Sequence, residues 1–410
     1  MKILIVTQCF YPDIYAVNDI VKQLVERGHE VTVLTGLPDY TTSRIPKEYK
    51  WFRNRKQIYH GVKVYRVSTI ARHHGAIFRC LNYMSFAISG WIFASLKKWE
   101  DFDVIYVWEV SPVTMAIPAI RLKNRYHKPL FLYCMDLWPE SIKAMGFQEE
   151  SLFYTLVHAL SKWIYNRCDH IAVSSTPFFD YLNHVIKYPR EKMSYLPQYA
   201  SEELLQENLE KKPTNHTDFL FIGNIGKVQD VEKIIEASAK IPQELDYTIH
   251  LVGGGTNLES CKKLANDLQQ MERIKFYGPV PANQTAAFYK IADACLLTLN
   301  GDNLIGHTLP GKVQTYMAAG KPILGAINGA GQEIIKESGC GLCVNAGDVN
   351  GLAKAMISFI NDRERFSQCG EKARVYFKNE FTAKKHFESL ENVLQKMKQK
   401  EKREHEISVC

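Results

Sequence analysis

The chain has 410 residues, of which 46% are apolar and 23% charged; this composition excludes a disordered protein, and the length exceeds one small domain. The formal net charge of +7 lies entirely in the first half: residues 1–200 carry 25 Lys and Arg against 17 Asp and Glu, and residues 201–410 carry 26 against 27. A basic first half fits either an anionic partner, such as a membrane surface, a phosphorylated lipid or nucleic acid, or a solvated lysine-rich surface.

Short apolar runs, each followed by a helical pattern, recur along the chain. In the first half they are Lys2–Thr7, Val31–Thr35, Val62–Val67, Val104–Trp108, Leu130–Met135, Ile171–Ser175 and Met193–Leu196. In the second half they are Phe219–Ile222, Thr248–Val252, Ile274–Tyr277, Cys295–Leu299, Ile323–Ala326 and Leu342–Val344. Apolar strands that alternate with helices are typical of parallel sheets covered on both faces. The sequence therefore predicts an α/β chain with two doubly wound domains whose sheets face a central cleft.

The polar segment SEELLQENLEKKPTNHT marks the predicted linker. The predicted divisions are a first domain at 1–200, the linker at 201–217 and a second domain at 218–376. A C-terminal helix at 377–398 is free to pack back on the first domain, and the charged tail at 399–410 is expected to be disordered.

The start of the chain, KILIVTQ, predicts a buried strand rather than an export signal, and the ten scattered cysteines then indicate a reducing cytoplasm. The CxxC pair Cys340 and Cys343 lies in an apolar run, which favours core cysteines over a metal or redox site. The uncharged run from Cys80 to Leu96 is 17 residues long, short of a membrane span. Two interpretations stay open for it: an interfacial helix with Phe86, Trp91 and Phe93 dipping inward, or a helix packed on the sheet.

Ligands bind parallel sheets at the carboxyl ends of the strands, so the loops after strands carry the candidate site residues. In the first half, Asp136 follows a strand within FLYCMDLWPES and is a candidate catalytic or sugar-binding carboxylate, although an Asp that caps the next helix is also common. Glu140 in the same segment, and Asp13 and Asn18 in the loop after the first strand, are candidate acceptor-binding residues.

In the second half, glycine-rich loops follow two strands. After the first of these strands come Gly223, Asn224, Gly226 and Lys227. A glycine turn with a lysine near a helix start is typical of an anion site, but a tight turn alone also requires glycine. Gly253 to Gly255 permit close approach to a phosphate or ribose, or form a flexible turn.

The strongest local signal is HTLPGKVQTYMAAGKPIL. Pro310 fits a helix start, so the amides of Gly311 and Lys312 point out of the helix, and Lys312 adds a full charge at the same place. This pattern predicts a phosphate site with Lys312 and Lys227 as candidate catalytic residues. No metal-binding motif stands out. Asp101 and Asp103 match the DxD pattern, but they precede their strand and so lie at the end of the sheet opposite to the expected binding site.

These segments together resemble the retaining glycosyltransferases of family 4, which have the GT-B fold. FYPDIYAVNDIVKQLVERGHEVTVLTG is similar to the family's opening unit. DLWPES, FIGNIGKVQ and LPGKVQTYMAAGKP resemble the subgroup that builds bacterial O-antigens and capsules, which includes enzymes that transfer N-acetyl-L-fucosamine.

The resemblance implies a UDP-sugar donor, retention at the anomeric carbon, and no metal or other cofactor. The family's usual Arg and Lys after the first strand of the second domain fall on Asn224 and Gln229 here, and Lys227 is a candidate to supply the missing charge. The family's paired glutamates, which meet the donor sugar and the ribose, fall on His307 and Thr315. The diphosphate site is better preserved, as Gly311 and Lys312.

The sequence thus favours a metal-independent retaining glycosyltransferase that moves a sugar from UDP to an undecaprenyl diphosphate-linked saccharide. The expected location is the cytoplasm, peripherally on the inner face of the plasma membrane against an anionic lipid surface, with no nucleic-acid partner. A nucleotide-sugar epimerase of the same architecture and a non-catalytic nucleotide-sugar-binding protein are the alternatives. A dehydrogenase is disfavoured because no GxGxxG follows the first strand.

Overall fold

A computed structural model describes residues 1–39, 43–73, 75–143, 147–212, 214–301 and 308–409. The chain forms two compact units. Unit 1 comprises Met1–Leu196 and Phe387–Cys410, and unit 2 comprises Pro197–His386. The first unit therefore ends four residues before the predicted boundary at 200, and the chain returns to it at Phe387.

Unit 1 is built on an eight-stranded sheet. Its strands are β1 (Lys2–Val6), β2 (Glu30–Thr35), β3 (Lys56–Tyr59), β4 (Val62–Arg66), β5 (Val104–Glu109), β6 (Leu130–Cys134), β7 (His170–Val173) and β8 (Met193–Tyr195). The order is β3-β4-β2-β1-β5-β6-β7-β8. All neighbours are parallel except the edge pair β3 and β4. The sequence pattern missed β3, because its side chains are alternately exposed and half-buried on a polar edge.

The helices of unit 1 cover both faces of this sheet. They are α1 (Ala16–Glu26), α2 (Ala76–Leu96), α3 (Ile117–Tyr126), α4 (Glu140–Lys143), α5 (Leu152–Tyr165) and α6 (Pro177–Asp180). Strands β5 and β6, at the centre of the sheet, are buried along their whole length. Such complete burial is what continuous apolar strands require in a parallel sheet.

Unit 2 is built on a six-stranded parallel sheet of order β11-β10-β9-β12-β13-β14. Its strands are β9 (Thr217–Ile222), β10 (Tyr247–Val252), β11 (Ile274–Gly278), β12 (Ala294–Thr298), β13 (Ile323–Ala326) and β14 (Gly341–Val344). Its helices are α7 (Glu203–Gln206), α8 (Glu232–Ser238), α9 (Leu258–Asp267), α10 (Thr285–Ile291), α11 (Gly311–Ala318), α12 (Gly329–Ser338), α13 (Val349–Asn361) and α14 (Cys369–Glu380). The predicted doubly wound α/β architecture with two parallel sheets is confirmed.

The last helix, α15 (Ala383–Val409), begins in unit 2 and lies on unit 1 from Phe387 onward. The expectation of a disordered tail after residue 398 was wrong, since the helix continues to Val409. Lys398 pairs with Asp103 at 2.8 Å and Glu401 with Lys128 at 3.1 Å, both on unit 1. These contacts, together with the high helix propensity of Lys, Glu, Gln and Arg, extend the helix through the charged segment.

Helix α2 has one buried face and one exposed face. One face packs on α3 and buries residues such as Phe86, which is 0% exposed, so the expectation that Phe86 dips into a membrane was wrong. Phe93 packs against Trp99 with ring centroids 5.9 Å apart. The opposite face exposes Ile88 and Trp91, which are 55% and 46% accessible. Among the helices that the structure describes, none is long and apolar enough to cross a membrane.

Candidate functional site

The loops after β9, β10 and β11 are hydrogen-bonded to one another at the carboxyl edge of the unit 2 sheet. The Ile225 amide donates to the Gly254 carbonyl at 2.8 Å, and the Gly253 amide donates to the Gly278 carbonyl at 2.8 Å. Gly253 has a φ of +139°, and a Cβ there would lie 1.8 Å from the Gly223 carbonyl oxygen. Packing of the loops therefore requires glycine at position 253 with or without a ligand.

Gly255 has the same explanation. Its φ is +153°, and a Cβ would lie 2.3 Å from the carbonyl oxygen of Ile225. The two predicted donor-binding glycines of this loop thus fix its shape. Their close approach to the preceding loop gives a rigid backbone surface at the strand ends.

Lys312 is a partly buried lysine in the first turn of α11. Its Nζ lies 4.1 Å from the centroid of the Phe221 ring, and its aliphatic chain runs so close to Gly223 that a Cβ there would lie 2.4 Å from Lys312 Cε. Burial lowers the pKa of Lys312 to about 8. Within the described ranges no carboxylate pairs with it. A partly buried ammonium without a counter-charge is stabilised when an anion binds beside it, which makes Lys312 a candidate binding residue.

The start of α11 adds hydrogen-bond donors to this charge. Its N-cap residue, Pro310, has extended backbone and provides no side-chain cap for the amides of Gly311 and Lys312. Uncapped amides and the helix dipole favour a negative group at this end. The structure thus places the Lys312 side chain beside Gly223 at the start of α11, and the predicted roles of Gly223, Gly311 and Lys312 stay predictions.

The loop from Gly223 to Asp230 is folded by its own side chains. Asn224 Nδ2 donates to Gln229 Oε1 at 2.9 Å, and the backbone amide of Gly226 donates to the same oxygen at 3.2 Å. The Thr298 hydroxyl, from the end of β12, holds the Gln229 carbonyl at 2.7 Å. Lys227 is exposed on this loop, so its predicted role as a second charge at the anion site stays a prediction.

Thr315 and His307 are the residues predicted to meet the ribose and the donor sugar. The Thr315 hydroxyl donates to the Gly311 carbonyl at 3.1 Å within α11, which leaves its oxygen available as an acceptor. His307 lies outside the described residues.

In unit 1, Asp136 lies two residues beyond the end of β6. Its Oδ2 accepts a 2.7 Å hydrogen bond from the Ser111 hydroxyl, and Ser111 Oγ in turn accepts from Trp138 Nε1 at 3.1 Å. Burial raises the pKa of Asp136, and the hydrogen bond from Ser111 partly offsets that rise. Asp136 is thus a carboxylate fixed by Ser111 at the carboxyl ends of the strands. With its raised pKa, it can accept a proton or bind a sugar hydroxyl.

The three predicted acceptor-binding residues make contacts inside unit 1. Glu140 accepts from the Tyr154 hydroxyl at 2.7 Å and pairs with Lys143 at 2.9 Å, so each carboxylate oxygen has an internal partner. Asn18 Nδ2 donates to the Asp13 carbonyl at 2.7 Å. These contacts shape the loops, and the acceptor roles of Asp13, Asn18 and Glu140 stay predictions.

The sequence reasoning missed a carboxylate at the same edge. Asp39 follows β2, and its Oδ2 accepts from Asn82 Nδ2 at 2.7 Å and from the Arg72 amide at 2.9 Å. Burial is the main reason that the pKa of Asp39 rises to about 6. Its place after a strand end in TGLPD is the same signal that identified Asp136. The order of the central strands, β2-β1-β5-β6, puts Asp39 and Asp136 on one edge of one sheet.

Comparison with known proteins matches each half of the chain to a family model. The model described as Glycosyltransferase Family 4 matches residues 15–198, and the model described as Glycosyl transferases group 1 matches residues 204–376.

Three relatives are similar at low identity. The probable glycosyltransferase WbjE of Pseudomonas aeruginosa is 26% identical over 58% of this chain, which spans 61% of WbjE. The N-acetyl-alpha-D-glucosaminyl L-malate synthase of Bacillus anthracis is 22% identical over 91% of this chain and 90% of that protein. The putative colanic acid biosynthesis glycosyl transferase WcaI of Escherichia coli K12 is 22% identical over 78% of this chain and 82% of that protein.

Among solved structures, Anabaena HepE in complex with UDP has a TM-score of 0.70 at 14% sequence identity and covers 97% of this chain and 100% of that one. At that identity the likeness shows the fold alone. Because the two family models together span most of the chain, the chain belongs to the family 4 glycosyltransferases, and its fold is GT-B.

Proposed function

We propose that unit 2 binds a UDP-sugar and places its diphosphate at the start of α11, on the amides of Gly311 and Lys312 and on the Lys312 ammonium. The observation that carries this is the partly buried Lys312 side chain at an uncapped helix start, whose charge has no carboxylate partner in the described part of the chain and whose pKa is lowered by desolvation. HepE, a protein of the same fold, was solved with UDP, which supports uridine as the nucleotide.

The proposed reaction is transfer of the sugar with retention at the anomeric carbon, without a metal ion. As the bond between sugar and diphosphate breaks, negative charge grows on the leaving phosphate. Fixed amides and an ammonium group stabilise that charge without reorganising. Thr315 and His307 are proposed to contact the ribose and the donor sugar, and Lys227 to add charge at the rim.

The proposed acceptor is an undecaprenyl diphosphate-linked saccharide used to build an O-antigen or capsule, with Asp136 of unit 1 contacting its reactive hydroxyl. The similarity to WcaI, named for colanic acid biosynthesis, supports a polysaccharide product. The motif DLWPES makes UDP-N-acetyl-L-fucosamine the first donor to test. The similarity to a malate-glycosylating enzyme makes a small carboxylate acceptor the second candidate.

A lipid acceptor is favoured over a small one by an apolar and basic surface on unit 1. On α2, Ile88 and Trp91 face solvent, as described above. A second element is the turn before β3, where Trp51 and Phe52 are 88% and 79% exposed. Both residues have left-handed backbone, with φ of 52° and 61°, which is rare and strained for bulky side chains.

Basic residues lie near these exposed rings in the sequence. Lys50, Arg53, Arg55 and Lys56 flank the turn, and Arg72, Arg79, Lys97 and Lys98 flank α2. Each basic residue near an anionic lipid surface contributes about 1 kcal/mol, and aromatic side chains add a part that salt does not screen. We therefore propose that this surface, formed by the 50–56 turn and the outer face of α2, contacts an anionic membrane.

We expect the protein to sediment with vesicles that contain anionic lipid, and high salt to release only part of it. The double change Trp51→Ser with Phe52→Ser, and separately Trp91→Ser with Ile92→Ser, should each reduce binding without lowering the melting temperature, because these side chains are exposed. Phe93 is unsuitable for this test since it packs on Trp99.

The matched control is Met271→Ser with Val375→Ser, two unit 2 positions of comparable exposure, 46% and 47%. This variant should sediment like the wild type. If it loses binding equally, or if the wild type ignores anionic vesicles, the membrane surface is assigned wrongly.

The donor assignment predicts that UDP raises the melting temperature in excess EDTA. A ligand present at 100 times its Kd adds about 2.7 kcal/mol to the free energy of unfolding. GDP and ADP at the same concentration should add less, and UDP-sugars can then be ranked by the same measurement. A rise seen only with magnesium or manganese would contradict the metal-free site, and a larger rise with GDP would contradict the uridine nucleotide.

A further inference from the structure

Glu109, the last residue of β5, is a carboxyl group enclosed in the core of unit 1. Its side chain is 0% exposed, and neither carboxyl oxygen has a hydrogen-bond partner of good geometry among the residues that the structure describes. In that same part of the chain, no lysine, arginine or histidine forms an ion pair with it. An unpaired carboxylate in a protein interior is strongly destabilising, so a buried acid without a counter-charge is held neutral.

The surroundings of Glu109 also favour its neutral, protonated form. Burial, reinforced by the nearby negative charge of Asp136, raises the pKa of Glu109 well above its usual range, and the Cys134 thiol offsets this only in part. The Tyr165 hydroxyl from α5 faces the same buried group and is uncharged, its own pKa being raised by burial. The two acids, Glu109 and Asp136, therefore carry at most one negative charge between them near neutral pH.

Glu109 is also connected to Asp136 through the backbone. It is the register partner of Cys134 on β6, and its carbonyl accepts from the Met135 amide at 2.8 Å. Cys134 Sγ donates to the Asp136 carbonyl at 3.1 Å. Two residues after Glu109, the Ser111 hydroxyl holds the Asp136 carboxylate. The segment 109–111 thus contacts the main chain of Met135, directly before Asp136, and the side chain of Asp136.

We propose that Glu109 is a positioning residue for sugar transfer: a neutral carboxylic acid that supports the Cys134 thiol beneath the turn carrying Asp136 and leaves the negative charge to Asp136 alone. This rests on the proposed function of Asp136. An apolar residue of similar size would fill the same space without a buried unpaired polar group. Retaining the acid at a strand end beside the site costs stability, as is typical of residues kept for function.

The substitution Glu109→Leu separates this role from a merely structural one. Removing an unsatisfied buried polar group should leave the melting temperature unchanged or higher. Without the acid beside the Cys134 thiol, the turn that carries Asp136 loses its support, and we expect kcat to fall by about tenfold or more while the Kd for UDP stays the same. Glu109→Gln, which is neutral and nearly isosteric, should keep kcat within about threefold of wild type.

Infrared spectroscopy provides a readout that does not depend on turnover. The wild type should show a protonated-carboxyl band at pH 8 that Glu109→Gln lacks. In Asp136→Asn this band should disappear at a lower pH, because removing the neighbouring charge lowers the pKa of Glu109.

A stable Glu109→Leu protein with wild-type kcat, or the absence of any band sensitive to Glu109→Gln, would overturn the proposal. If Asp136→Asn keeps full turnover, the function proposed for Asp136 has failed instead, and the infrared titration still decides whether Glu109 is protonated.

Discussion

The change Lys312→Ala is expected to lower turnover by about 100-fold to 1,000-fold while the protein stays folded. Loss of one preorganised charge-assisted contact to a developing negative charge has an effect of this size. The fold should survive because this partly buried lysine, which has no carboxylate partner among the described residues, contributes little to stability, and alanine is well tolerated in a helix. Turnover measured on the variant checks the loss of activity, and a melting curve of the same preparation checks that the protein stays folded.

The pH dependence of UDP binding distinguishes loss of this contact from general damage. Burial holds the pKa of Lys312 at about 8 in the free protein. The ammonium is therefore lost as the pH rises through 8, and a bound diphosphate opposes that loss. UDP affinity should be constant near pH 7 and fall by up to about tenfold per pH unit above 8. Lys312→Ala should bind weakly at every pH without this slope.

The exposed Lys227 is the comparison for this prediction. Lys227→Ala should weaken UDP binding less than Lys312→Ala, because solvent screens an exposed charge more than a buried one. Near wild-type turnover by a folded Lys312→Ala protein would contradict the diphosphate assignment.

Asp136→Asn is expected to lower kcat by about 100-fold or more and to leave the Kd for UDP unchanged. Asparagine keeps the shape and can still accept from Ser111, but it neither takes up a proton nor carries charge. Loss of a general base reduces rates by about 100-fold to 10,000-fold. The measurement is kcat with the lipid-linked acceptor, together with a UDP titration of the same variant.

Asp169→Asn is the matched control on unit 1. Asp169 pairs with Lys123 at 2.6 Å before the start of β7, at the edge of the sheet opposite to Asp136. This variant should change stability slightly and turnover little. Lost UDP affinity with unchanged kcat in Asp136→Asn would place that residue at the donor rather than at the acceptor.

The parallel sheets were predictable because their strands are buried on both faces and read as continuous apolar runs. The run VIYVWE forms β5 and LFLYC forms β6, each within one residue of its predicted end. The carboxyl-edge rule then identified Asp136, and helix-start chemistry identified Gly311 and Lys312. All of these signals are local in the sequence.

The features that the sequence did not predict depend on distant neighbours. Whether Gly253 faces a phosphate or another loop depends on its approach to Gly223, 30 residues away in the chain. Glu109 directly follows the predicted strand Val104–Trp108 and drew no prediction, and its lack of a partner among the described residues is visible only in the folded structure. The C-terminal segment reads as a disordered charged tail until Asp103 and Lys128 are seen beside it.

The central claim is that this chain transfers a sugar from UDP without a metal ion, with Lys312 at the leaving diphosphate. Its most direct test is UDP release from a panel of UDP-sugars in EDTA, with and without a lipid-linked saccharide, followed by NMR of the anomeric carbon in the product. We expect acceptor-dependent release for one donor, retained configuration at its anomeric carbon, and almost no release with Lys312→Ala. Release that requires added metal, an inverted product, or equal release by wild type and Lys312→Ala would contradict the account.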